Sequence, residues 1–283
     1  MRLQLIHVDL EDTSMGETSP AVANVAKMRL ADGRVTTGMM VRITRSADIA
    51  NIAASCGFDA INVDLEHSSH SLGETAQICV NALSCGITPL VRVPSQDAAF
   101  LGRVLDGGAQ GVIVPHVQSV EEARAVAAAT RFPPNGHRSM GGTGPLLRYK
   151  SVPTTVAAPA VDAETLITVM LETRHAVGQA EAIAAVPGVD MIMIGTNDLC
   201  ADLGIHGQLG HALVLEAYGS VARACQAHGK FLAVGGIKSD LALLGQLVGL
   251  GARYISASTD MALMISAAQA HAADLQGLQS KAN

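Results

Sequence analysis

Eight short apolar runs recur along this chain from Thr36 onward, each ending in polar residues and each followed by a stretch of helical length and pattern. They cover residues 38–43, 60–65, 89–93, 111–117, 167–171, 191–194, 231–234 and 253–257. Continuous apolar runs of this kind, bounded by turn formers, suit parallel strands covered on both faces. The stretches between and after them, 47–56, 72–83, 98–105, 120–129, 176–185, 212–228, 238–249 and 261–279, carry the apolar spacing of helices. Gly57, Gly86, Gly108, Gly229 and Gly251 stand just past helix ends, where a left-handed residue closes the last turn. Eight strands alternating with eight helices are what a closed (β/α)8 TIM barrel requires, so the fold class is α/β. The expected organisation is one barrel domain over 36–283, preceded by an N-terminal arm over 1–35 that is polar and irregular apart from a short helical pattern near 21–30.

Composition narrows the partners. Hydrophobic residues make up 49% of the chain and charged residues only 16%, which implies a large core and surface buried between subunits, hence a homo-oligomer. The net charge of −6 and the lack of any Lys/Arg cluster exclude the electrostatic footprint of a nucleic-acid binder, and the absence of Trp removes stacking platforms. No apolar run reaches the length of a membrane span, and the first ten residues break too early for a signal peptide, so a cytoplasmic protein is expected. The cysteines, Cys56, Cys79, Cys85, Cys200 and Cys225, form no Cys-x-x-Cys pair and read as reduced thiols. Cys200 is a small helix residue or, alternatively, a soft metal ligand.

Chemistry gathers at the strand ends. The run 167–171 leads into Glu172, and the run 191–194 leads through Gly195-Thr196-Asn197 into Asp198. Both acids then sit just past the carboxyl ends of their strands, the edge that carries the active site in barrels. Two carboxylates converging with no Lys or Arg between them repel, and a divalent cation relieves this. The alternative pairs Glu172 with Arg174 or Arg138 and makes Asp198 a helix cap. On the same rim the second strand ends in Asp64-Leu-Glu66-His67, the third carries Arg92, and the fourth ends in Pro115-His116-Val-Gln118. An imidazole exchanges protons near neutral pH, so His67 is a candidate general base, with Asp64 holding its tautomer; the alternative is a surface His beside a solvated His70. Arg92 lies in an apolar strand and needs an anion, either a bound carboxylate or enolate oxygen or the side chain of Glu66 or Asp64. The turn from Gly195 opens a helix whose free amides, at Asn197 and Asp198, suit a substrate carboxylate. Gly141-Gly-Thr-Gly144 lacks the strand and helix of a dinucleotide fingerprint, and Gly235-Gly236 is only a hint of phosphate binding. The long Gly/Pro-rich connection 131–164 is expected to be irregular and to act as a lid or subunit contact.

In order and spacing, Asp64-Leu-Glu-His67, Leu90-Val-Arg-Val-Pro94, Val114-Pro-His-Val-Gln118, Arg131-Phe-Pro-Pro-Asn-Gly-His-Arg138, Leu171-Glu-Thr-Arg174 and Gly195-Thr-Asn-Asp-Leu199 resemble the HpcH/HpaI aldolase family. The similarity runs from about Gly38 to Met264. The resemblance implies a class II pyruvate aldolase that cleaves a 4-hydroxy-2-oxo acid to pyruvate and an aldehyde. It implies a hexamer, a trimer of dimers, whose subunits exchange their last helix. It further implies a divalent ion, Mg²⁺, Mn²⁺ or Co²⁺, held by Glu172 and Asp198 and acting as Lewis acid on an enolate. Arg92 then stabilises the enolate oxygen, His67 oriented by Asp64 serves proton transfer, and Asp106 matches an acidic position near a neighbouring subunit's site. Gly195, Thr196, Asn197, Met170 and Arg42 fall among the substrate-binding positions. Met170 stands where relatives carry Gln, and Arg42 where they are small. Two rivals are kept open: a CoA-thioester lyase of the malyl or citryl kind, for which no basic site for the CoA tail is evident, and a non-catalytic metabolite-binding barrel.

Overall fold

The computed structural model describes residues 19–238 and 240–278. Eight parallel strands, β1 (Thr36–Val41), β2 (Ala60–Asp64), β3 (Thr88–Arg92), β4 (Gly111–Val114), β5 (Leu166–Leu171), β6 (Met191–Gly195), β7 (Phe231–Gly235) and β8 (Ala252–Thr259), close into a barrel in sequence order. The period of two along each strand divides the core. Outward residues such as Val41, Val63, Val91, Val114, Val169, Ile194 and Val234 pack against the helices, while Ala60, Leu90, Ile113, Leu166, Met170, Met191, Met193, Ala233 and Tyr254 fill the interior. Polar groups inside the barrel are satisfied locally. The Tyr254 hydroxyl donates to Asn62 Oδ1 at 2.6 Å, and Asn62 Nδ2 donates to Ser256 at 2.8 Å. A Cβ at Gly38 would lie 2.2 Å from the Tyr254 hydroxyl, so only glycine admits this ring.

The outer layer comprises α2 (Ile49–Ser55), α3 (Leu72–Cys85), α4 (Ala98–Asp106), α5 (Val120–Thr130), α6 (Thr154–Glu164), α7 (Arg174–Gly178), α8 (Ala180–Ala184), α9 (Thr196–Asp202), α10 (Ala212–Ala227), α11 (Leu241–Gly249) and α12 (Asp260–Gln276), with α1 (Val25–Ala31) ahead of the barrel. Local chemistry sets many of these boundaries. Ser71 and Glu74 form a reciprocal capping box at the start of α3, which ends at Gly86 with φ 74°. Asp97, Ser119, Thr173 and Thr259 cap α4, α5, α7 and α12 with their side chains.

Three expectations change. The single helix expected over 176–185 is split into α7 and α8 around Gln179, next to Gly178, a weak helix former. The connection 131–164 is not irregular throughout: it carries a 3₁₀ turn, Pro145–Leu147, and the whole of α6, which tolerates Pro159 inside it. Nor is it a lid on the rim of Glu172. It links the C-terminal end of α5 to the start of β5, and Arg131 there donates to the carbonyls of Asp162 and Gly188, so it lies at the amino-terminal mouth of the barrel. The short helical pattern near residues 21–30 is α1, whose Ala26 and Leu30 are buried with the barrel interior and close the same mouth. Asn24 fixes it there, its side chain donating to the carbonyls of Gln110 and Glu164 and accepting from the amide of Lys27. Residues 1–18 of the arm and Gln279, the expected end of the last helix, lie outside the described residues.

Candidate active site

Inward parity selects which strand-end residues meet. Asn62, Asp64 and Glu66 follow one another at every second position off β2, as do Leu90 and Arg92 on β3, Met170 and Glu172 off β5, and Met191, Met193 and Gly195 on β6. At the carboxyl mouth lies a cavity of about 290 Å³, which Arg92, Met170, Met193 and Gly195 of this set line. Met40, Met170 and Met193 line it together with Arg42, His67, Arg92, Asn197, Asp198 and Lys238.

Arg92 is nearly buried and fully engaged. Its Nε donates to Asp64 Oδ1 at 3.0 Å, one terminal nitrogen donates to Asp64 Oδ2 at 2.6 Å, and the other lies 2.9 Å from Glu66 Oε2. Both intramolecular partners considered from the sequence are therefore used, and the guanidinium is held by a bidentate carboxylate at a fixed place on the cavity wall. Asp64 is wholly buried and also accepts from Arg42 Nε at 2.7 Å. Burial alone would push its carboxyl up, but the Arg92 hydrogen bond and charge, with the His67 amide and Arg42, hold it below the usual carboxylate range.

Asp64 does not touch the imidazole of His67. It accepts from the backbone amides of Glu66 and His67, at 3.1 and 3.2 Å, and so fixes the turn rather than the ring tautomer. The ring is 54% exposed, lines the cavity, and has Glu66 Oε2 at 3.7 Å from its Nε2. His70 is no solvated neighbour. It is buried, with its ring nitrogens on Ser68 Oγ at 2.6 Å and the Thr44 carbonyl at 2.9 Å.

Glu172 is 3% exposed and pairs with neither Arg174 nor Arg138. Its Oε2 accepts from the backbone amide of His116 at 2.7 Å and lies 2.9 Å from His116 Nδ1, while His116 Nε2 lies 2.9 Å from Glu66 Oε1. His116, in the left-handed region at φ 57°, thus spans two carboxylates. The sequence leaves His116 without a role and offers Glu66 only as a partner of Arg92, although the shared parity of Asp64 and Glu66 is readable. Burial raises the Glu172 carboxyl, the His116 amide and ring oppose this, and the charges of Asp198 and Glu66 raise it further, leaving it above the usual range.

Gly195 passes directly over Glu172, and a Cβ there would stand 2.6 Å from Oε1. Asp198, in the first turn of α9, is exposed and does not cap the helix with its side chain. Carboxylate oxygens are the donors a hard divalent cation prefers, so the chemistry of Glu172 and Asp198 suits one whose shell water or substrate oxygens would complete. Among the described residues no group of three or more His, Cys, Asp or Glu is arranged to hold a metal, and Cys200 is buried in the outer core rather than toward Asp198's side of the cavity.

The remaining expected residues are placed as follows. The Thr196 hydroxyl is occupied, donating to the Gly235 carbonyl at 2.7 Å and meeting the Tyr218 hydroxyl at 2.8 Å, and Asn197 Nδ2 donates to the Gly236 carbonyl at 3.2 Å. Both side chains tie α9 to the end of β7. Asp106 is not part of this cluster: it ends α4 at the opposite mouth and accepts from Arg138 at 2.8 Å.

The family model for HpcH/HpaI aldolase/citrate lyase matches residues 37–267, which spans the whole barrel. The chain belongs to this family. It is similar to a 4-hydroxy-4-methyl-2-oxoglutarate aldolase of Hapsidospora irregularis, 36% identical over 262 residues that cover 92% of this chain and 97% of the relative. A hydroxypyruvate/pyruvate aldolase of Sagittula stellata is 36% identical over 234 residues, 81% of this chain and 89% of the relative. Among solved structures, an HpcH/HpaI aldolase from Desulfitobacterium hafniense superposes with a TM-score of 0.85 at 32% identity, covering 90% of this chain and 97% of that one. The chain is accordingly an aldolase, a carbon–carbon lyase, in a family that is generally dependent on a divalent metal. No helix among the described residues is long and apolar enough to cross a membrane.

Proposed function

We propose that the rim of β2, β3, β5 and β6 cleaves a 4-hydroxy-2-oxo acid to pyruvate and a carbonyl compound, or runs the reverse addition, with Glu172 and Asp198 holding Mg²⁺, Mn²⁺ or Co²⁺. The observation that carries this reading is the guanidinium of Arg92, locked by Asp64 and Glu66 onto the wall of the same cavity that Asp198 lines. A bound divalent cation supplies Lewis-acid polarisation of the 2-oxo acid.

In cleavage, the proton of the 4-hydroxyl leaves, the C3–C4 bond breaks, C4 becomes the new carbonyl carbon, and the electron pair passes to the 2-oxo group as an enolate. Arg92 places fixed positive charge where that oxygen becomes negative, at no cost in reorganisation. His67 serves the proton transfers, its backbone set by Asp64. The enolate carbon then takes a proton and pyruvate is formed. The buried methionines under the rim exclude water from C3.

The test needs no knowledge of the carbonyl partner. Deuterium uptake at the pyruvate methyl group in D₂O, followed by NMR, is expected with Mn²⁺ or Mg²⁺, and neither with metal-stripped protein nor with Glu172→Ala. Absence of exchange with every divalent metal overturns the reading.

Assembly belongs to the same proposal. Of α12 only Asp260 is buried, and Met261, Leu263, Met264 and Ile265 are exposed. An apolar helix presented to water on this scale supports its packing on a second copy, as helix exchange within a hexamer would require.

A further inference from the structure

We infer that Tyr218 of α10 is a positioning residue for the cation site: through the hydroxyl of Thr196 it sets the first turn of α9, and with it the place of Asp198. This inference rests on the reading of Glu172 and Asp198 as cation ligands and deepens it. The helix that carries Asp198 starts without a side-chain cap. Its N-cap residue is Gly195, and the residues that ordinarily cap a helix are shut out there, because a Cβ would stand 2.6 Å from Glu172 Oε1 and 2.7 Å from its Cγ. The glycine that admits Glu172 thus denies the next helix its usual anchor. Leu199 and Cys200 bury α9 in the outer core, but apolar contact is non-directional and does not by itself fix the first turn. At the far end Asp202 accepts from the amide of Arg174 at 2.7 Å. The beginning of the helix, where Asp198 stands, needs an anchor of its own.

Tyr218 and Thr196 supply it, and both are wholly buried. The Gly235 carbonyl can only accept, so the Thr196 hydroxyl spends its single proton there, at 2.7 Å. The Tyr218 hydroxyl, 2.8 Å from Thr196 Oγ1, is then the donor of that contact. Burial pushes the phenol well above its ordinary value, which keeps it protonated and able to donate. The result is a one-way relay from Tyr218 through Thr196 to Gly235 that joins α10, α9 and the end of β7. Its bonds are directional and dry, so water does not replace one that is lost. Asn197 adds a bond to the Gly236 carbonyl at 3.2 Å, but Asn197 is exposed and water competes for it. Thr196 and Asp198 share one helical turn, so a displacement of the first carries the second with it. Cation affinity depends on where the ligand carboxylates stand, and removal of an outer partner of a ligand typically weakens it by about 10- to 100-fold.

Mn²⁺ binding to the metal-free protein, followed by the EPR signal of the free ion, tests this without turnover. Tyr218→Phe removes one oxygen and keeps the ring, and is expected to weaken Mn²⁺ binding by about tenfold. Thr196→Val keeps the shape and removes the relay, and is expected to weaken it as much or more, while Thr196→Ser restores the hydroxyl and with it binding close to wild type. Tyr218→Phe combined with Thr196→Val is expected to bind no more weakly than Thr196→Val alone, since the two residues act as one relay. Tyr254→Phe is the control. It deletes an equally buried hydroxyl that is bonded to Asn62 instead of α9, and is expected to leave Mn²⁺ binding unchanged. Wild-type affinity in Tyr218→Phe and Thr196→Val, a loss in Thr196→Ser as large as in Thr196→Val, additive losses in the double variant, or an equal loss in Tyr254→Phe each overturns the inference. If Tyr218→Phe does not fold, Thr196→Val against Thr196→Ser gives the same decision. Asp198→Ala separates the two layers. Wild-type protein that binds no Mn²⁺, or Asp198→Ala that binds it as well as wild type, sinks the cation reading and this inference with it, whereas binding lost in Asp198→Ala and kept in Tyr218→Phe sinks this inference alone.

Discussion

Glu172 and Asp64 are both buried carboxyls, yet they titrate in opposite directions because their neighbours differ in sign. Burial and the charges of Asp198 and Glu66 raise Glu172, so in the metal-free protein its ionisation opposes folding. A raised folded-state value means this group's contribution is fully present below the unfolded value, about 4.3, and is lost as pH rises through the folded value. Metal-free Glu172→Gln is therefore expected to be more stable than wild type at pH 7, read from urea unfolding. Mn²⁺ affinity is expected to weaken as pH falls through that raised value, since the ligand must first lose its proton. Equal stability of the two metal-free proteins at pH 7 would refute the account of Glu172. Asp64 is depressed by Arg92, so its contribution is present above about pH 4 and lost as pH falls below it. Asp64→Asn leaves Arg42 without its anion and Arg92 with Glu66 alone, and is expected to cost about 3 kcal/mol. The acids of the rim were legible because each ends an apolar run. The bridge by His116 was not, since it depends on one left-handed residue after β4 that no periodicity announces.

At the scale of elements, the strands and most helices follow directly from alternation of apolar runs with capped amphipathic stretches. What escaped the pattern was α6, whose Pro159 and flanking Pro153 read as loop formers although one proline is tolerated where neighbouring packing decides. The length of the 131–164 connection suggested a lid, but direction along the chain decides the face: a segment leaving the C-terminal end of a barrel helix must return to the amino-terminal mouth. The short α1 shows how that mouth is sealed. Seven residues cannot hold a helix unaided, so its stability comes from Ala26 and Leu30 in the barrel interior and from the bonds of Asn24. Asn24→Ala removes a helix cap and leaves the Gln110 and Glu164 carbonyls without that donor. A loss of about 2 to 3 kcal/mol is expected in chemical denaturation, with kcat and KM for aldol cleavage unchanged because the site is at the other mouth. A change in kcat as large as the change in stability would show that the two mouths are coupled.

For the whole molecule, the last helix and the rim share one anchor. Asp260 opens α12 and accepts from the backbone amides of Arg42 and Thr44 at 2.9 and 2.8 Å, as well as from Ile43 at 3.1 Å. Burial would raise its carboxyl, but these three amides hold it below the usual range, so it is a firm joint between the loop after β1 and a helix that otherwise touches little of its own chain. Leu263, Met264 and Ile265, all exposed, make the kind of apolar patch that marks an interaction surface. If a second copy covers it, the position of Arg42 depends on assembly, because displacement of α12 pulls on Asp260 and thereby on the Arg42 backbone. Light scattering is expected to give a mass several times the 29.1 kDa of one chain. Met264→Glu combined with Ile265→Glu is expected to reduce that mass and, at the same time, to raise KM for the hydroxy-oxo acid substrate. A wild-type mass of one chain at micromolar concentration rules out the covered helix, and dissociation without any change in KM breaks the link from α12 through Asp260 to the rim.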